Sequence, residues 1–222
     1  MFVNFSMKRI LLFILIIGIV FPVGEKEEDE SGGTVIPQEP QRAEELMNQL
    51  IMTRTSEDNT EELKRIRSQF NELMLIQPNL KIKSLIVYEY SSEGGELIFF
   101  TDDNDNVLIV YAELLGGTGR YKEEYYYHND SLFFLHSVRG RYNSPISWET
   151  FDMNKTTYYA SQYYFHNGSL IIWLDEAGKE TPRYSKEFNE KQKSNWETSL
   201  ELLNRYKTTD WKSIGQKGEL EE

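Results

Sequence analysis

The chain has 222 residues, no cysteine and a formal net charge of −12. Disulfides, thiolate metal sites and cysteine nucleophiles are therefore excluded, and a surface this acidic repels phosphate backbones and anionic lipid headgroups, which argues against a nucleic-acid partner. With 39% hydrophobic residues and no crosslinks, stability has to come from one ordinary apolar core.

Residues 1–24 have the anatomy of a secretory signal peptide. Lys8 and Arg9 precede an apolar run from Ile10 to Val20, and Phe21-Pro22-Val23-Gly24 follows. The run is shorter than the roughly 20 residues a helix needs to cross a bilayer. The expectation is an extracytoplasmic protein, periplasmic or secreted, with no membrane span after cleavage. Losing Lys8 and Arg9, two cations and no acid, takes the formal charge from −12 to −14. Residues 25–38 are acidic, contain Gly32-Gly33 and Pro37 and hold almost nothing apolar, which reads as a disordered linker.

A single α+β domain is expected over 39–208. Leu46, Met47, Leu50 and Ile51, then Leu63, Ile66, Phe70, Leu73 and Met74, recur at helical spacing. The apolar-free stretch Thr53 to Thr60 divides 40–77 into two helices, and Pro78 ends the second. Short apolar and aromatic runs separated by turn clusters then predict an antiparallel β-meander of seven to eight strands across 81–178. Strands are placed at 82–91, 96–101, 107–115, 120–128, 131–139, 146–152, 156–166 and 169–175. Beyond Pro182, Ser185 is a candidate N-cap for a helix over 185–207 with Phe188, Gln192, Trp196, Ser199, Leu203 and Tyr206 on one face. Residues 209–222 form a polar tail in which Trp211 is a last anchor.

Within the meander one unit occurs twice. Tyr125 to His136 reads YYYHNDSLFFLH, and Tyr163 to Leu174, 38 residues later, reads YYFHNGSLIIWL. Asn129-Asp130 and Asn167-Gly168 suit two-residue type I′ turns, in which both central residues have positive φ. A regular ladder from the second turn sets Phe165 opposite Leu170, Tyr164 opposite Ile171 and Gln162 opposite Trp173, and puts Tyr164, Ile171 and Trp173 on one face. The first copy likewise gives Tyr126 and Phe133. Two arrangements follow. Either the N-terminal helices cover one face and the C-terminal helix or the sheet's own curl covers the other, or Tyr126, Phe133, Tyr164, Ile171 and Trp173 form an exposed aromatic binding surface.

Catalytic signatures are thin. His128 and His166 flank the two turns as structural residues, and His136 falls opposite Glu123 in the regular register. The chain has no HExxH, GxSxG, Walker or GxGxxG motif. Asp102, Asn104 and Asn106, with Glu113 twelfth, overlap the calcium-loop pattern, but Val107 stands where that pattern needs glycine. A polar β-turn accounts for the same residues, with weak calcium binding as the alternative and no other cofactor expected.

YYFHNGSL resembles the YYxNGxL hairpins of bacterial MORN-variant sheet proteins, although the 38-residue repeat is longer than theirs and lacks their glycine-rich second half. The layout of signal, helices, meander with EYYY and QYYF hairpins, and closing helix resembles uncharacterised exported proteins of Bacteroidota-type bacteria. Both resemblances imply a structural or binding role in the cell envelope. The expected function is an exported, non-enzymatic binding or structural module meeting an envelope protein or glycan through its aromatic sheet face. The alternatives are a carrier holding a hydrophobic ligand between curled sheet and helices, and a hydrolase built on Glu123 and Glu124.

Overall fold

The computed structural model describes residues 60–216. The expected signal peptide, the acidic linker and the first expected helix lie outside the described residues. The described residues fall into two units, 60–207 and a smaller one at 208–216.

The larger unit begins, among described residues, with α1 (Thr60–Ile76), whose Leu63, Ile66, Phe70 and Leu73 are buried at three- and four-residue steps. Pro78 lies in a 3-10 turn, Gln77–Asn79, that ends the helix. Seven strands follow: β1 (Lys81–Val87), β2 (Gly95–Thr101), β3 (Val107–Gly116), β4 (Gly119–His128), β5 (Ser131–Arg141), β6 (Thr157–His166) and β7 (Ser169–Leu174). They pair in chain order, every neighbour antiparallel. Helix α2 (Lys186–Thr208) closes the unit, and Ser185 Oγ accepts the amide of Phe188 at 3.1 Å as its N-cap. The fold is thus α+β, a seven-strand antiparallel meander with a helix on each side of it in sequence. In the smaller unit a short helix, α3 (Trp211–Gln216), stands where the sequence suggests a tail, with Asp210 Oδ1 accepting the amides of Lys212 and Ser213. Among the described residues no helix is long and apolar enough to cross a membrane.

The expected strand at 146–152 does not form. Its polar groups are spent inside a loop: Asn143 binds the carbonyl of Thr150 at 2.8 Å and the amide of Asp152 at 2.9 Å. The amide of Ile146 donates to the Gly117 carbonyl across the sheet end. A backbone committed to turns has no ladder to offer a neighbour.

Both type I′ turns are present, with positive φ at Asn129 and Asp130 and at Asn167 and Gly168. The register beyond them departs from a regular ladder. Tyr126 pairs with Phe134 while Tyr127 pairs with Leu132, so Phe133 is a one-residue bulge. Ile171 is the matching bulge between β6 and β7, and Leu108 the one between β2 and β3. Each bulge inserts an extra apolar residue toward α1, where Phe133 is buried and Leu108 and Ile171 are half-buried. The consecutive apolar pairs Leu108-Ile109, Phe133-Phe134 and Ile171-Ile172 therefore share one face.

That face forms the first core. Phe70 sits edge-on to Tyr126 at 5.0 Å and to Phe134 at 5.8 Å, and Phe134 lies 5.0 Å from Tyr164. The other face lies under α2. Tyr206 meets Phe99 at 5.3 Å, the Tyr127 hydroxyl donates to the Ser199 carbonyl at 3.1 Å, and Gln192 Oε1 accepts the amide of Leu170 at 3.1 Å. The Trp196 indole packs over Gly168, whose φ of +76° meets the turn's need for a left-handed residue. Helices thus cover both faces at the end of the sheet that carries the two type I′ turns.

Candidate functional site

The residues expected to make an exposed aromatic face are not exposed and do not share a face. Tyr126, Phe133 and Tyr164 are buried beneath α1, and Ile171 is the bulge beside them. Trp173 lies on the opposite face, 6% exposed and stacked on Tyr163 at 5.5 Å. The cause is the bulge. One extra residue pairs Tyr163 with Trp173 and Tyr164 with Ile172, so Trp173 changes sides. Between the sheet and α1 the rings of Phe70, Tyr126, Phe133, Phe134 and Tyr164 belong to one buried cluster.

Asp102, Asn104 and Asn106 do come together, as a turn. Asp102 Oδ1 accepts the amides of Asn104 and Asn106 at 2.9 Å each, and Oδ2 accepts Asn106 Nδ2 at 2.8 Å. The Asn106 side chain contributes most to holding the Asp102 carboxyl below its ordinary value; burial opposes it, and the two amides add to the lowering. The neighbouring Asp103 and Asp105 pair with Lys81 and Lys83, at 3.2 Å each. Among the described residues no group of three or more histidines and acids is placed to hold a metal ion.

Glu123 and Glu124 point to opposite faces. Glu124 is on the α1 side, where the Tyr126 hydroxyl donates to it at 2.8 Å and His136 Nδ1 lies 3.5 Å away. His136 thus pairs with Glu124, not Glu123, again because of the bulge at Phe133. Burial is the largest influence on the Glu124 carboxyl and raises its pKa. The His136 imidazole, Tyr126 and Lys122 together outweigh burial and leave the group below the usual carboxylate value. His166 is held from its Nε2 by Arg65 at 3.5 Å.

The site that does assemble is on the α2 side, at the end of the sheet away from the type I′ turns. Cross-strand pairing there lines up Leu114, Tyr121, Arg139 and Tyr159 on β3 to β6, with Arg139 between two tyrosines. The next step outward sets Gly116 and Gly119 beside Arg141. Two side-chain-free positions deepen the floor next to a guanidinium. The walls are loops. Tyr90 and Ser91 come from the β1–β2 connection, where the Tyr90 hydroxyl donates to Glu201 of α2 at 2.7 Å. Tyr142 to Pro145 come from the loop after β5, where the Tyr142 amide donates to the Thr118 carbonyl at 3.0 Å. Together they enclose a cleft of about 920 Å³.

Its chemistry is mixed aromatic and cationic. Tyr121 is 46% exposed, and the Arg139 guanidinium lies 5.2 Å from the Tyr159 ring centre while pairing with Glu176 at 2.9 Å. Arg141 is exposed and has no ion-pair partner among the described residues. Glu123, at the inner end, is already occupied: Tyr125 donates to one oxygen and Ser137 to the other. Burial, then the bond to Glu201, pushes the Tyr90 phenol up to about 12, so it stays a neutral donor. The uncovered part of the opposite face differs: there Arg120 bonds Tyr158 at 2.9 Å and meets Glu113 at 3.5 Å, two charges answered within the protein.

Comparison with known proteins finds no matching family model, curated protein or solved structure. The cleft residues had a sequence signal that a regular ladder hides. Counting back from Asn129-Asp130 without a bulge pairs Arg120 with Arg139, whereas the bulge moves Tyr121 into that place.

Proposed function

We propose that the chain is an exported, non-enzymatic binding module, periplasmic or secreted, that holds an envelope protein or glycan in the cleft over Tyr121, Arg139, Arg141 and Tyr159. The observation that carries this reading is the row Tyr121–Arg139–Tyr159. Its residues lie within a continuous sheet that α1 and α2 cover at the end carrying the type I′ turns, and loops wall the row into a concave site. Pockets that combine aromatic faces with a few convergent polar groups are the usual form of a ligand site. Tyrosine supplies large contact area with few rotors and a polar handle. A non-enzymatic role accords with the cleft's inner carboxylate, which already accepts from Tyr125 and Ser137. Export is supported by residues 1–24 and by the acidic balance of the chain.

The test is binding of the mature protein to an array of envelope glycans and peptides, run beside Tyr121→Ala/Tyr159→Ala. Both changes are on the partly exposed floor, so the melting temperature should stay within a few degrees of wild type. Loss of array binding by a folded double variant is the expected result. Undiminished binding would move the function elsewhere on the molecule.

A further inference from the structure

Resting on the cleft as the binding site, we infer that its ligand is an acidic saccharide, with a sugar carboxylate on Arg141 and a ring face against Tyr121 or Tyr159. The charge argument comes first. In a chain of net charge −12, two arginines lie two residues apart on β5 and point into one cleft. Arg139 is partly neutralised by Glu176 and steadied on Tyr159. Arg141 has no ion-pair partner among the described residues, which leaves its fork open to them. A guanidinium presents parallel N–H donors that match a carboxylate bidentately, and such pairs are among the stronger polar contacts available to a protein.

The remaining lining decides between an acidic peptide and an acidic sugar. An extended peptide draws much of its affinity from main-chain hydrogen bonds to a free sheet edge. Under the cleft β3, β4 and β5 are paired on both sides, so the backbone groups beneath Leu114, Tyr121, Arg139 and Arg141 are consumed in the ladders; β6 meets β7 only from Gln162 onward, so the edge left unpaired among the described residues, 157–161, runs along the rim beyond Tyr159 and not beneath Arg141. Two backbone groups at the cleft walls, the Tyr142 amide and the Thr118 carbonyl, bond each other. What faces the ligand is side chains: flat phenol rings and the small polar groups of Ser91, Thr118, Asn143 and Ser144. A pyranose has C–H faces to lay on the rings and hydroxyls to meet those groups, and its carboxylate completes the set.

The global charge makes the experiment selective, because a strongly acidic protein is repelled by a polyanion unless a specific site overcomes the repulsion. Native gels are cast with polygalacturonate, alginate or hyaluronan, with the carboxyl-reduced neutral form of each, or with poly-L-glutamate. The mature protein is run as wild type, Arg141→Gln, Arg141→Lys and Tyr121→Ala. The expected result is retardation by at least one acidic polysaccharide, little or none by its reduced form, and about tenfold or greater weakening in Arg141→Gln. Arg141→Lys should fall between, since it keeps the charge and loses the fork. Retardation by none of the acidic polysaccharides, or retardation that Arg141→Gln leaves unchanged, overturns the inference. Stronger retardation by poly-L-glutamate replaces the sugar with an acidic peptide. Equal retardation by a reduced polymer, abolished by Tyr121→Ala, would refute the acidic ligand and leave the cleft standing as the site.

Discussion

Phe70→Ala tests the seating of α1 on the sheet. Phe70 is 1% exposed and contacts two rings on different strands, Tyr126 of β4 and Phe134 of β5. Truncating a buried phenylalanine costs about 3–5 kcal/mol, part of it lost transfer energy and part the cavity left behind. The upper half of that range is expected here. The rings around the void belong to strands paired on both sides, so they cannot relax inward, and two edge-on ring contacts disappear as well. Against a total stability of roughly 5–15 kcal/mol, ~4 kcal/mol is a large share. In urea, with a slope of about 2 kcal/mol per molar, the midpoint should fall by about 2 M at unchanged slope. Leu75→Ala is the control, since Leu75 is on the same helix but 79% exposed, and should cost less than about 0.5 kcal/mol. If Phe70→Ala costs no more than Leu75→Ala, α1 does not close the first face and the two-core description fails.

Alkaline titration reads the tyrosines. Burial raises Tyr125, Tyr126 and Tyr127 well above the ordinary value and Tyr163 to about 12, and burial followed by the Glu201 contact takes Tyr90 to about 12. A raised phenol pKa favours the neutral folded form, so this stability is fully present below pH 10 and is lost as pH rises through the folded values. Ultraviolet titration with circular dichroism should show two tyrosine classes, the second ionising only together with unfolding; reversible ionisation of all 14 near pH 10 in a folded chain would contradict the buried placement. For the loop at Asp102, the lowered carboxyl pKa gives stability that is present above the ordinary 3.8 and lost as pH falls through the lower folded value. Asp102→Asn should flatten the acid limb of the stability curve and cost about 1 kcal/mol at pH 7 through lost turn hydrogen bonds, while millimolar calcium leaves the melting temperature of wild type unchanged. A calcium-dependent rise would show that the carboxylate leaves the turn for a metal.

Much of the fold was legible because its signals were local. The turns at Asn129 and Asn167, the helical stripe from Leu63 to Leu73 and the cap at Ser185 each depend on a few adjacent residues. The register was not, because a bulge is a choice made by tertiary packing. Nothing within SLFF or SLII says that Phe133 or Ile171 will be left unpaired; α1 decides it by offering an apolar surface on which two consecutive side chains can be buried. One unpaired residue then reverses the face of everything beyond it, which is why Trp173 lies beside Tyr163 and why His136 faces Glu124. The loop at 146–152 misleads for a different reason: exposed Ile146 and Trp148 imitate a strand, while the hydrogen bonds that fix the loop come from Asn143, outside the apolar run.

The repeat and the cleft divide the same strands between them. Tyr125 to His136 and Tyr163 to Leu174 lie mostly at the end of the sheet that both helices cover, and their shared positions are turn residues, bulges and buried rings. These are constraints that any two such hairpins under the same pair of helices must meet. The other halves of β4, β5 and β6, residues 119–124, 137–141 and 157–162, fall mostly outside the repeat, and there the side chains differ. GRYKEE on β4 and TYYASQ on β6 supply Tyr121 and Tyr159 from unlike surroundings, and β5 contributes Arg139 and Arg141 where β7 has already ended at Leu174. Because side chains alternate in a strand, the Phe133 bulge that helps seat the repeat under α1 also fixes which residues of β5 in the unrepeated half face α2. The repeated half therefore sets the geometry of the cleft without lining most of it, and a substitution at Phe133 that removed its bulge would act on the pairing of Tyr121 with Arg139 through register alone.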